Sequence, residues 1–161
     1  MSNNNKTCCP KFDPNLWRET EITWKEKIFI KDYVPQVMHI PMPGSFGKAV
    51  GRMWKKIEKA NAKPAEKDQL MLSHELSPWK SELYICVTKE VSGAENVNIS
   101  GTFMIKVFDG PYNCVPKWIK EMDQYVEDKG KEVKQYYFYY TTCPKCAKKY
   151  GHNYVVIFAK I

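Results

Sequence analysis

The pattern of apolar and polar positions along the chain predicts both strands and helices, and their order predicts an α+β fold. Short apolar or aromatic segments with strand character, bounded by turn residues, predict the strands. In the first half these segments are residues 21–29, 33–40, 70–74 and 82–89, the last two being separated by a turn at Ser77-Pro78. In the second half they are residues 101–108, 136–142 and 153–160.

Two longer segments have the spacing of amphipathic helices. In the first, apolar residues recur every three or four positions, at Phe46, Ala49, Val50, Met53, Trp54, Ile57 and Ala60. Ser45 precedes this segment as a predicted N-cap, and Pro64 stops any extension of the helix. In the second, Gly130 closes a helix whose apolar face consists of Trp118, Ile119, Met122, Tyr125 and Val126.

The order of strand, Gly/Pro turn, helix and two further strands therefore occurs twice. It predicts duplicated β-α-β-β modules, each with an antiparallel sheet and a helix on one face. We expect a single domain of 161 residues, with an N-terminal arm at 1–20, a first module at 21–92 and a second module at 99–161. A cleft where two such halves meet is the expected ligand site.

The net charge of +7 raises the question of nucleic-acid binding. Acidic residues are interleaved with the lysines and no nucleic-acid-binding motif is present, so we expect solvated helix faces and no nucleic-acid partner. No apolar run reaches the roughly 18 residues of a membrane span, which predicts no membrane contact. The start, MSNNNKTCCP, lacks the apolar core of a secretory signal, and a cytoplasmic localisation is therefore predicted.

Two of the six cysteines, Cys143 and Cys146, form a Cys-Pro-Lys-Cys knuckle between the last two predicted strands. Three interpretations stay open: reduced thiols that shape the hairpin beside a ligand pocket, a redox dithiol, or a structural zinc site. Zinc needs further ligands, for which Cys8 and Cys9 are the candidates, with His152 as a substitute. We expect no cofactor, and zinc is the alternative.

A family resemblance extends over nearly the whole chain. The segment FMIKVFDGPYNCVPKWIKEMDQYVEDKG (residues 103–130) resembles the second module of the GyrI-like small-molecule-binding family. That module has a strand, a Gly-Pro-Tyr turn, and a helix with an aromatic residue near its start. The segments CCPKFDPNLW, LSPWKSELYICV and YYTTCPKCAKKYGHNYVVIFA are similar to a bacterial and archaeal branch of the same family.

The resemblance implies two β-α-β-β modules related by a pseudo-twofold axis, with an aromatic cleft between them. It also implies a small-molecule ligand, because members of the family bind amphipathic or cationic aromatic compounds. Many members are effector domains of transcription regulators, and some stand-alone members hydrolyse reactive cyclopropane-bearing genotoxins. No DNA-binding segment is attached here, so we expect a stand-alone binder or hydrolase that is a monomer or weak dimer.

Aromatic residues supply the candidate ligand contacts. They make up 14% of the chain, including 5 Trp and 10 Tyr, and flat rings stack on planar ligands and attract cations. Those expected to face the cleft are Tyr112, Trp118, Trp79, Tyr84, Phe108 and Tyr139. The alternative for each of these rings is a place in the apolar core.

Hydrolysis of a strained electrophile requires a group that orients or deprotonates one water molecule. The resemblance implies a buried glutamate on the strand after the second helix, but this chain has five aromatic residues there, at 136–140. The substitute acids are Glu82 and Glu75. A tyrosine hydroxyl that polarises a leaving oxygen is the remaining candidate, with Tyr137 on the aromatic strand in that role.

Overall fold

The computed structural model describes residues 12–18, 20–38, 40–42, 44–141 and 144–161. Within these ranges the strands are β1 (Thr20–Val37), β2 (Ile40–Pro41), β3 (Met71–Ser77), β4 (Lys80–Cys86), β5 (Glu95–Asp109), β6 (Gln135–Tyr140) and β7 (Tyr154–Lys160). The α-helices are α1 (Ser45–Lys59), α2 (Val115–Asp128) and α3 (Pro144–Tyr150). The chain divides into two compact units. The central unit is Thr23–Thr102, and the terminal unit combines the described residues up to Ile22 with Phe103–Ile161.

In the central unit the strand order is β2–β1–β4–β3, and these pairings are antiparallel. Helix α1 packs on one face of this sheet, as its three- and four-residue spacing predicts. The core between them consists of Ile30, Val34, Ala49, Met53, Ile57, Ala62, Leu83, Ile85, Val87 and Val91. Each large side chain buried there stabilises the fold by roughly 1.5–3 kcal/mol.

Strand β1 is one continuous element where the sequence pattern predicts two. Glu26 lies within it at a left-handed φ of +50°, and the strand continues on both sides of this residue. The backbone N–H of Glu26 donates to Ser100 Oγ at 2.8 Å, which satisfies its hydrogen-bonding requirement. The two predicted segments, 21–29 and 33–40, are therefore parts of a single long strand.

In the terminal unit the strand order is β6–β7–β5, again antiparallel, with α2 on one face. The buried residues between α2 and the sheet are Met104, Phe108, Trp118, Met122, Val126, Val155, Ile157 and Ala159. The Tyr136 hydroxyl on β6 also donates to Asp123 on α2. Gly110 lies in the turn before α2 at a φ of +151°, and a Cβ there would lie 3.3 Å from Trp118 Cζ2. The turn therefore requires glycine, since a side chain would strain its backbone and crowd the indole ring.

The predicted α+β fold with duplicated modules is confirmed, because each unit has antiparallel strands and one helix packed on one face. The predicted cap of α1 is wrong in detail. Gly44, at a φ of +74°, is the residue before the helix, and Ser45 is its first residue. The Ser45 hydroxyl donates to the Met42 carbonyl at 2.6 Å and does not cap the helix. The predicted module boundaries at 21–92 and 99–161 stay a prediction.

Candidate functional site

The terminal unit presents an aromatic surface on the sheet face opposite α2. Residues 155, 157 and 159 of β7 and residues 104 and 108 of β5 point toward α2, so the alternate residues of these strands point the other way. We call this surface the terminal aromatic face. Its rings are Phe103, Tyr137, Tyr139, Tyr154 and Phe158, with Phe12 and Trp17 packed against them.

The segment before β1 supplies two of these rings. Phe12 lies 6.1 Å from the ring centroid of Tyr139 and 5.7 Å from that of Tyr154. Trp17 lies 6.5 Å from Tyr139 and 5.7 Å from Phe158. These distances lie within the range of stabilising aromatic pairs. Phe12, Trp17, Tyr139 and Tyr154 are only partly buried.

A histidine and an aspartate form a hydrogen-bonded pair at the edge of this face. His152 Nδ1 lies 2.7 Å from Asp109 Oδ2, and the His152 ring stacks on Tyr154 at a centroid distance of 5.0 Å. The backbone N–H of Asn153 donates to Asp109 Oδ1 at 2.9 Å, which fixes the carboxylate from its other side. With Nδ1 donating to the carboxylate, neutral His152 carries its free lone pair on Nε2, the atom that a general base uses.

The central unit also has a polar cluster on the sheet face opposite α1. Ile30 and Val34 of β1 and Leu83 and Ile85 of β4 point toward α1, so the alternate side chains point away from it. We call this second surface the central aromatic face, formed by Phe29, Lys31, Tyr33, Glu82 and Tyr84.

An ion pair lies within the central aromatic face. Lys31 Nζ lies 2.9 Å from Glu82 Oε2 and 3.2 Å from Glu95 Oε1. The side chains of Lys31 and Glu82 are 17% and 9% exposed. The hydrogen bond to Glu82 is the main reason why the pKa of Lys31 is raised well above its ordinary value, although partial burial opposes the rise. Lys31 is therefore charged throughout the physiological pH range.

Two of the aromatic residues predicted to contact ligand lie in the core under α2. Trp118 is 6% exposed, and its ring stacks on that of Phe108 at a centroid distance of 5.3 Å. Both rings belong to the helix-side core of the terminal unit. Their position supports the alternative that the sequence left open, a packing role.

The other predicted ligand residues are spread over the molecule. Tyr139 lies on the terminal aromatic face and Tyr84 on the central one. Trp79 is 57% exposed in the turn between β3 and β4. Tyr112 begins a short 3₁₀ turn, Tyr112–Cys114, that leads directly into α2.

The three predicted catalytic residues have different environments. Glu82 is buried in the ion pair described above. Glu75, on β3, accepts a hydrogen bond from Gln36 Nε2 at 3.3 Å. Tyr137 is buried on the terminal aromatic face, 6.0 Å from the ring of Phe103. A catalytic role for each of them stays a prediction.

Cys8, Cys9 and Cys143 lie outside the described residues, so the zinc and dithiol interpretations stay untested. Cys146 lies on α3 and is 1% exposed. Helix α3 spans seven residues. Among the described residues, no group of three or more His, Cys, Asp and Glu side chains is placed to hold a metal ion.

A shallow cavity of about 380 Å³ lies in the terminal unit. It is lined by Thr20, Glu21, Met104, Tyr125, Lys129 and Lys131. Its wall combines two lysines with a glutamate, and Tyr125 packs against the helix-side core. This mixture of charges gives no preference for an anion or a cation.

The sequence did not identify the two polar pairs as sites. Asp109 and His152 are far apart along the chain, and only the β5–β7 register brings them together, with Asp109 opposite Tyr154. Lys31 and Glu82 meet in the same way through the β1–β4 register, in which Tyr33 lies opposite Glu82. No local sequence pattern marks these pairs, because the partner of each residue is known only once the strand register is known.

Comparison with known proteins places these observations in a family. A family model described as bacterial hydrolase matches residues 1–161, the whole chain. None of the curated proteins searched gives a significant match.

Three of the matching solved structures show the shared fold. The C-terminal domain of EcmrR has a TM-score of 0.66 and 15% identity, over 90% of this chain and 97% of that domain. A hydrolase encoded by lin2189 of Listeria innocua has a TM-score of 0.62 and 13% identity, over 89% of this chain and 91% of that one. EcmrR in a complex with DNA matches with a TM-score of 0.65 and 14% identity, over 90% of this chain but only 57% of that longer one.

These matches confirm the resemblance to the GyrI-like family and the α+β fold that it implies. At these identities the structural matches bear on the fold alone. The expected absence of a nucleic-acid partner stays a prediction. No helix in the described part of the chain is long and apolar enough to cross a membrane.

Proposed function

The chain belongs to the bacterial hydrolase family, and from this membership we propose that it binds planar, amphipathic aromatic molecules and hydrolyses electrophilic ones. The observation that carries the proposal is the terminal aromatic face, where partly buried rings lie beside an oriented Asp–His pair. Partly buried rings on the sheet face opposite α2 offer stacking to a flat ligand. A histidine at the edge of that surface offers a base for water.

Binding is the first half of the proposal. Tyr139 contacts both Phe12 and Trp17, so it is the central ring of the exposed part of the terminal aromatic face. A planar neutral dye that binds there should quench tryptophan fluorescence through Trp17. Replacing Tyr139 with Ala should weaken binding by about 1–3 kcal/mol, as expected for a central aromatic anchor.

Hydrolysis is the second half, and His152 is the base that we assign to it. Nε2 takes a proton from water while the water oxygen bonds to a methylene carbon of a spirocyclopropane. The ring C–C bond breaks, and its electron pair moves into the conjugated carbonyl group, which becomes a phenolate. The protonated imidazole then returns the proton to that oxygen, so the net reaction adds one water molecule. Asp109 positions the ring and stabilises its charged form.

The parent spirocyclopropane cyclohexadienone is a suitable probe, because its hydration gives tyrosol, which chromatography measures directly. The protein should accelerate this hydration, and His152→Asn should lower the rate by about 100-fold, the usual contribution of a general base. Imidazole added to His152→Ala should restore part of the rate. Asp109→Asn should lower kcat with little change in KM, because a positioning residue does not contact the substrate.

Asp128 provides a matched control for Asp109. It is an exposed acid that accepts a hydrogen bond from Gln124 on α2, and Asp128→Asn should leave the hydration rate unchanged.

Glu82→Gln, Glu75→Gln and Tyr137→Phe test the other catalytic candidates. A full rate in His152→Asn with a large loss in one of these three would transfer the catalytic role to that residue. If the unmodified protein binds the probe but does not hydrate it, the hydrolysis half of the proposal is rejected, and the protein would act by sequestering such compounds.

A further inference from the structure

The ammonium group of Lys31 is held as a bound organic cation would be. Two carboxylates contact it, Glu82 at 2.9 Å and Glu95 at 3.2 Å, and the Tyr33 ring centroid lies 5.5 Å from Nζ. Carboxylates together with an aromatic ring face form the environment that proteins use to bind ammonium ligands. Here the chain fills that environment with its own side chain.

The surroundings favour one positive charge at this position. Glu82 is nearly buried, and a buried carboxylate without a partner is strongly destabilising. Tyr84 lies directly opposite Lys31 in the strand register and packs edge-on against Phe29 at 6.3 Å, so apolar rings flank the ion pair. Lys80 also approaches the Tyr33 ring, at 3.9 Å, which adds a second cation to the edge of the cluster.

We propose that Glu82, Glu95 and Tyr33 form a cation-binding site that Lys31 occupies, and that Lys31 excludes small aromatic ammonium ions from the central aromatic face. A tethered cation has a high effective concentration, which a free cation must overcome to displace it. The central aromatic face therefore rejects small organic cations. This inference goes beyond the proposed function, in which the ligand binds the terminal aromatic face.

Removing the Lys31 side chain empties the proposed cation site, so that binding of an added cation can be measured. Lys31→Ala leaves Glu82 without its partner and should lower the melting temperature. Benzylammonium at saturating concentration should then raise the melting temperature of this variant by about 5 °C, since a ligand that binds only the folded state stabilises it. Benzyl alcohol, which has the same ring without the charge, should have no such effect.

Two controls show whether benzylammonium raises the melting temperature by binding at the proposed cation site. The unmodified protein should not respond to benzylammonium, and the double variant Lys31→Ala/Glu82→Gln should lose the response because the carboxylate is gone. If Lys31→Ala does not fold alone, recovery of folded protein with benzylammonium but not with benzyl alcohol gives the same result. The inference is overturned if Lys31→Ala responds equally to both compounds or to neither, or if the unmodified protein responds as strongly as the variant.

This experiment is independent of the proposed function. Binding of a neutral planar dye to the unmodified protein is measured in parallel. If the dye does not bind to the unmodified protein, the proposed function is rejected. The ammonium response of Lys31→Ala still decides whether the cation site exists.

Discussion

The two units have the same architecture but differ in the sheet face that their helix leaves uncovered. The helix-side cores are alike, since α1 and α2 each bury an apolar stripe against an antiparallel sheet. Away from the helices, the central aromatic face contains a nearly buried ion pair, whereas the terminal aromatic face contains stacked rings with an Asp–His pair at its edge. A duplicated scaffold therefore keeps its core and varies the opposite face, which is where we place the chemistry.

The largest expected effect is a loss of stability when the helix-side core of the terminal unit is changed. The same variants test whether this core and the opposite face have different roles. Trp118→Ala should lower the free energy of unfolding by about 3–5 kcal/mol, because it leaves a cavity beside Phe108. Chemical denaturation measures this loss. Trp118→Phe keeps most of the packing, and it should retain dye binding if the indole is a core residue. Complete loss of binding in folded Trp118→Phe would restore the ligand role that the sequence predicted.

The ion pair of the central unit should have the next largest effect. Glu82→Gln should lower the free energy of unfolding by about 2–3 kcal/mol. This loss is smaller than that for breaking a fully buried ion pair, because Lys31 still pairs with Glu95 in the variant. The double variant Lys31→Met/Glu82→Gln should recover part of this loss, since no uncompensated charge remains. A double variant as unstable as the sum of the single variants would show that the two side chains do not interact.

The ion pair also predicts a dependence on alkaline pH. The fold raises the pKa of Lys31, mainly through Glu82, so its contribution to stability is complete below the ordinary lysine pKa of about 10.4. That contribution is lost only as the pH rises through the higher pKa of the folded state. The stability difference between the unmodified protein and Glu82→Gln should therefore be constant from pH 6 to about 10 and decrease above it. A difference that already disappears near pH 8 would contradict the ion pair.

Cys86 and Cys146 give the smallest expected effect, a difference in thiol reactivity. Burial raises the pKa of the Cys86 thiol, and Cys146 is as well buried, so neither should react readily with a thiol reagent in the folded protein. Cys114 is only partly buried and should react first among these three. Thiol titration before and after unfolding measures the order. Rapid reaction of Cys146 in the native state would favour the redox interpretation of the knuckle.

The fold could be predicted because it depends on local patterns. The helical spacing from Phe46 to Ala60 and the continuous apolar run of β7 are properties of neighbouring residues, and both elements form as expected. The predictions that failed concern backbone geometry that side-chain patterns do not encode, as at Glu26, where one strand continues through a left-handed residue.

The candidate site was harder to predict, because it depends on strand register. An aromatic residue in a strand gives the same signal whether it faces a helix or the opposite side, so Phe108 and Tyr139 looked alike in the sequence. The register also decides which charges meet. Along the chain, β2, α1 and β3 lie between Lys31 and Glu82, and only pairing of β1 with β4 joins them.

The central claim is that ligands bind to the terminal aromatic face, and tryptophan quenching in two single variants tests it most directly. Trp17 lies on that face, whereas Trp79 is exposed in a turn of the central unit. With a neutral planar dye as ligand, Trp17→Phe should lose most of the quenching, and Trp79→Phe should quench like the unmodified protein. Quenching that persists in Trp17→Phe and disappears in Trp79→Phe would contradict the account.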